Sequence, residues 1–108
     1  MAKDLMTPVM RIQVELALAS ARDDLDSIRS LEIEAKCMAL TAAEIDAAKR
    51  GASFDAIINI AVKFALAVHA DDAAAIAVTR KKLAAFGVAA IASELCVIVQ
   101  GAKLPTSK

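Results

Sequence analysis

The chain has 108 residues and a mass of 11.3 kDa, which allows one domain, leaves no room for a second core and excludes a multi-domain enzyme. Its 13 cationic and 13 acidic residues cancel, so the chain lacks the basic footprint expected of a partner for nucleic acid or an anionic membrane surface. Apolar residues reach 58%, aromatics only 3%, and 26 residues are alanine: small helix formers dominate and the aromatic, β-branched mixture favoured by sheets is scarce. This predicts an all-α fold. So much apolar surface exceeds what one small core hides, which predicts a homo-oligomer.

The opening MAKDLMTPVMR has neither the apolar stretch nor the small-residue cleavage site of a secretory leader, so a cytoplasmic location is expected. One helical domain is predicted over 1–108, with its core about 7–101 and a frayed tail over 102–108. Thr7-Pro8 starts the first helix, a capping hydroxyl followed by a proline at the first helical position, and the helix runs to about Ala21. The acidic run Asp23, Asp24, Asp26 then caps a second helix carrying Leu25, Ile28, Leu31, Ala35 and Met38 on one face, with Glu32 and Lys36 paired one turn apart. Thr41 and Glu44 form a capping box that opens a short third helix, ended by Gly51.

Ser53 is expected to cap the fourth helix. Its polar residues before His69, namely Asp55, Asn59 and Lys63, recur every four positions and leave every other side apolar, so neighbours or another subunit must enclose it. Asp71 and Asp72 open the fifth helix, and Arg80, Lys81 and Lys82 sit at its end, matching the helix dipole. The sixth helix is placed over 88–100 and stopped by Gly101 and Pro105. The apolar stretches 57–68 and 88–99 fall short of the roughly 20 residues that span a bilayer. They are read as buried helices, and subunits are expected to meet at 54–68 and 88–99.

Cys37 and Cys96 stand apart, with no CxxC spacing and a single histidine in the chain, so neither a disulfide framework nor a zinc site is indicated and both read as small core residues. Asp23, Asp24 and Asp26 could ligate a hard cation, but a helix N-terminus attracts the same residues without one. His69 suits a general base oriented by Asp71 or Asp72, and equally a helix end that favours imidazolium. Glu94 lies among Ala90, Ile91, Leu95, Val97 and Ile98: enclosed, it would be a candidate acid; turned outward with Ser93, it is a wet edge. Arg80-Lys81-Lys82 has no interleaved aromatics and reads as a solvated helix end. No glycine-rich phosphate loop occurs, and no cofactor is implied.

Over about residues 11–100 the chain resembles the carboxymuconolactone decarboxylase and alkylhydroperoxidase-D-like superfamily. The resemblance is carried by 11–24 (RIQVELALASARDD), by Leu40-Thr41-Ala42-Ala43-Glu44-Ile45, by Ala61-Val62-Lys63-Phe64-Ala65, and by Phe86-Gly87 ahead of a final apolar helix. It implies a six-helix domain assembled as a trimer or hexamer, with a small-molecule site between subunits. Counting back from Leu40, the family's CxxC pair falls on Asp24 and Ser27, its histidine on Leu31 and its upstream glutamate on Ile12. None of these can perform thiol–disulfide exchange, and Cys37 and Cys96 are not spaced to replace the pair. The resemblance therefore implies a catalytically degenerate, non-redox member acting as an oligomeric binding or scaffold protein. The alternatives are an acid–base enzyme of the decarboxylase type using His69 or Glu94, and an unrelated helical interaction module.

Overall fold

The computed structural model describes residues 6–103. Six helices follow one another with no strand among the described residues: α1 (Pro8–Ala21), α2 (Leu25–Cys37), α3 (Ala42–Lys49), α4 (Ala56–Ala70), α5 (Ala73–Ala85) and α6 (Ile91–Lys103). Most starts follow the capping chemistry of the sequence. The Thr7 hydroxyl accepts from Met10 N, the Thr41–Glu44 box closes in both directions, and an Asp72 carboxylate oxygen accepts from Ala75 N.

Two starts differ. Asp55, not Ser53, caps α4, because one of its carboxylate oxygens accepts from both Ile57 N and Ile58 N; the Ser53 hydroxyl instead accepts from Asp55 N. The final helix begins at Ile91 rather than at 88, because Val88 donates its N–H back to Leu83 O in closing α5. It also passes through Gly101 to Lys103, a lone glycine being tolerated in a helix. The expected tail thus has its first two residues in α6, and 104–108 lie outside the described residues.

One closing device ends all of α1 to α5. A residue with positive φ follows each helix: Asp23, Ala39, Gly51, Asp71 and Gly87. The N–H of the next residue reaches a carbonyl five positions back, as in Asp24 N to Ala19 O, Leu40 N to Ala35 O and Asp72 N to Ala67 O. This is the Schellman arrangement, which satisfies otherwise orphaned carbonyls. Asp24 and Asp72 then serve at once as N-caps of the following helices, so the two Asp-Asp pairs are tight helix–helix links.

The core has two parts, and α1 belongs to both. Met10, Val14, Ala17 and Leu18 of α1 join Ile60, Ala61, Phe64 and Ala65 of α4, Leu83 of α5, and Ile91, Leu95, Ile98 and Val99 of α6. On another side, Ile12 and Leu16 of α1 join Ala35 of α2, Leu40, and Ile45 and Ala48 of α3. α4 is enclosed by α1, α5 and α6 of its own chain, so the face assigned in the sequence to a neighbouring subunit is largely used internally. Arg80, Lys81 and Lys82 at the end of α5 are exposed, and the Arg80 guanidinium lies 5.3 Å from the ring centre of the buried Phe64. Leu25 departs from the expected apolar face of α2 and is 63% exposed. Glu32 bonds Lys49 of α3 rather than Lys36, tying α2 to α3. That bond holds the Glu32 carboxyl below its ordinary range, so its stabilising contribution is present above pH 4.5 and lost as the pH falls.

Two substitutions test the helix ends. At Gly51, φ is +83° and an added Cβ would stand 2.8 Å from Leu66 Cδ1. Gly51→Ala should therefore lose about 1–2 kcal/mol for the left-handed backbone, and more where Leu66 must shift. Ala39 already bears that strain at φ 70° on an exposed turn, so Ala39→Gly should gain up to about 1 kcal/mol. Chemical denaturation of both variants reads the two signs directly; equal signs would contradict the assignment.

Candidate functional site

Asp24 and Ser27 are joined to each other. One Asp24 carboxylate oxygen accepts from Ser27 N at 3.2 Å and the other from the Ser27 hydroxyl at 2.7 Å, while Arg22 approaches at 3.6 Å. The Ser27 hydroxyl, then its backbone N–H, hold the Asp24 carboxyl below its usual range. This is helix capping. Leu31 is half-buried and packs against the smaller core cluster, and Ile12 is buried within it.

The expected acid–base groups do not converge. His69 sits half-buried in the last turn of α4, and its Nδ1 is buried with no hydrogen-bond partner, so neither Asp71 nor Asp72 orients the ring through that nitrogen. Asp71 forms the left-handed turn and Asp72 caps α5. Glu94 is exposed on the first turn of α6 beside the exposed Ser93, so it is the wet edge and not an enclosed acid. Cys37 is exposed, contrary to its reading as a core residue; Cys96 is half-buried against the larger core cluster, and both are free thiols. Among the described residues, no three His, Cys, Asp or Glu side chains are gathered as metal ligands.

The site that the structure does assemble lies over α1. Met10, Ile12, Gln13, Val14, Leu16, Ala17, Leu18 and Ala19 are buried, which leaves Arg11, Glu15 and Arg22 as a polar stripe spaced by one turn and then two. The stripe lines a groove of about 610 Å³ between α1, α2 and α6. Leu18, Ala19, Leu31, Val97 and Ile98 supply its apolar lining, and Asp26, Ser27 and Ser30 stand on the α2 side. Gly101 lines the α6 side, where a Cβ would meet nothing within 4 Å. Of the sequence candidates at Asp24, Ser27, His69 and Glu94, only Ser27 reaches this groove. The sequence signal for Arg11, Glu15 and Arg22 is their spacing, one charged line along a helix that carries no other charge.

Glu15 is the chemically distinctive group. Its side chain is only 33% exposed, and Arg11 approaches no closer than 3.8 Å across one helical turn. Burial raises its pKa above the ordinary 4.5; Arg11 opposes the rise and the Glu34 charge adds to it.

No family model, curated protein or solved structure matches this chain. No helix among the described residues is long and apolar enough to cross a membrane.

A carboxyl with a raised folded-state pKa binds its proton more tightly folded than unfolded. Stability is therefore gained below the ordinary carboxylate range and lost as the pH rises from 4.5 through the raised value. Glu15→Gln should remove this loss, raising Tm at pH 7 while leaving little difference at pH 3.5. A variant less stable than the parent at pH 7 would show that the Arg11 contact outweighs desolvation.

Proposed function

We propose that the protein is a non-redox, oligomeric binding protein whose groove between α1, α2 and α6 receives the apolar part of a small molecule. The observation that supports this is the meeting of an apolar lining and a short polar stripe in one cleft, on the helix most enclosed by the fold. At about 610 Å³ the cleft falls in the range of roughly 300–1,000 Å³ typical of small-molecule sites. The resemblance to the alkylhydroperoxidase-D-like superfamily points the same way: the thiol-pair positions hold a helix cap, which has no redox chemistry. Binding in the groove does not depend on that kinship. The decarboxylase-type alternative relies on His69 or Glu94, and neither lines the groove.

Self-association belongs to the same reading, with its face moved. α5 buries only Leu83, while Ala73, Ala74, Ala77, Val78, Ala84 and Ala85 are exposed around Lys81, with Phe86 just beyond them. That surface, rather than α4, is offered to another copy. Sedimentation should give a species larger than 11.3 kDa, and Val78→Lys should return it to the monomer. Concentration-independent monomers of the parent would remove the oligomer from the reading.

Gly101 gives the test of the groove. Gly101→Leu places a side chain in the cleft and improves helix propensity by about 0.5–1 kcal/mol. The variant should lose at least tenfold in affinity for a neutral fluorescent probe such as N-phenyl-1-naphthylamine, with Tm unchanged or higher. Equal binding by parent and variant would overturn the groove as the site. Hydroperoxide turnover that disappears in Cys37→Ser or Cys96→Ser would overturn the non-redox assignment.

A further inference from the structure

The groove is not electrically neutral once its neighbours are included. Two guanidiniums border it, Arg11 and Arg22, and each already faces a carboxylate: Glu15 at 3.8 Å and Asp24 at 3.6 Å. Asp26 also lines the cleft, and Glu34 lies close enough to repel Glu15. Among the described side chains, four carboxylates, Glu15 and Asp26 in the lining and Asp24 and Glu34 beside it, thus stand against two guanidiniums.

The individual environments differ as much as the sum. Asp24 has its oxygens engaged by Ser27 N, the Ser27 hydroxyl and Arg22. Glu15 has lost most of its water, and its contact with Arg11 is too long for a good charge-assisted hydrogen bond, which needs about 2.7–2.9 Å. Arg11 itself is 50% exposed and remains largely solvated. A half-buried carboxylate held so loosely gains most from a donor brought in from outside. On α2, Asp26 and Ser30 stand one turn apart and line the cleft together with Ser27, so its α2 side is acidic and hydroxylic. Leu18, Leu31, Val97 and Ile98 offer apolar contact beside it, and Val97 is otherwise 69% exposed.

We propose that the ligand of this groove is an amphipathic cation, a short apolar chain or ring bearing a primary ammonium, with the ammonium seated on Glu15 and the apolar part against Leu18, Leu31, Val97 and Ile98. The proposal rests on the groove being a binding site and adds the sign of the ligand's charge. An ammonium supplies three donors, enough for Glu15 and a neighbouring hydroxyl together. A carboxylate ligand meets guanidiniums that already face carboxylates, under the repulsion of Asp26 and Glu34.

Calorimetric titration of the full chain at pH 7 with hexylamine, 1-hexanol and hexanoate separates the two levels. Hexylamine is cationic there, its pKa being close to the roughly 10.4 of a lysine side chain. It should bind about tenfold more tightly than hexanol, and hexanoate should bind most weakly. Glu15→Gln should bring hexylamine down to the level of hexanol and leave hexanol unchanged, and the preference should shrink in high salt. Hexanoate binding as well as hexylamine, or an ammonium preference that survives Glu15→Gln, would overturn the proposal while leaving the groove intact. Failure of hexanol, hexylamine and the neutral probe alike would overturn both.

Discussion

The double enclosure of α1 is the constraint on which the rest of the structure depends. One side of the helix fills the core shared with α4, α5 and α6, and another fills the core shared with α2 and α3. Val14 and Leu16 have no exposed surface at all. Burial of a Val or Leu side chain is worth about 1.5–3 kcal/mol, so α1 cannot rotate or slide without breaking both cores together. The polar line Arg11, Glu15, Arg22 is thereby fixed in direction. Its side chains move within their rotamers, but the axis that carries them does not.

The helix ends follow from a related economy of chain. Two Asp-Asp pairs, Asp23-Asp24 and Asp71-Asp72, each place a left-handed residue and an N-cap in succession, so that the chain reverses with almost no loop. Aspartate tolerates the left-handed region better than most residues with a side chain, and its carboxylate is among the best N-caps. What reads as a cluster of acids fit for a metal is, at Asp23 and Asp24, a turn and a cap. Asp24 stands at the N-cap of α2, with Ser27 in the first turn. A helix N-terminus that would lower a thiol's pKa serves a carboxylate equally well.

Much of the architecture was legible because capping is local. Thr7-Pro8, the Thr41–Glu44 box and Asp72 announce their helices within four residues, and each behaves as its chemistry requires. The two shifted starts are cases where a neighbouring device takes over: Ser53 accepts from Asp55 N and leaves the helix N–H groups of Ile57 and Ile58 to Asp55, and the closing of α5 takes the N–H of Val88. The enclosure of α4 was legible as a need for neighbours. Which neighbours was not, because packing partners are set by tertiary geometry. The site was the least readable part. Glu94 and His69 attract notice as isolated polar residues in apolar segments, yet a groove forms where three helices meet, and Arg11 and Glu15 are distant in sequence from Val97.

Gly101 sets stability against the open cleft. A glycine inside a helix costs roughly 0.8–1.0 kcal/mol relative to alanine, and among the described residues nothing demands one here: its backbone is helical and no described neighbour crowds its missing side chain. A search for stabilising substitutions would therefore settle on this position early, and each larger residue it accepted would narrow the cleft. At that one residue a sturdier helix and an open cleft exclude each other: whatever side chain improves the one occupies the other.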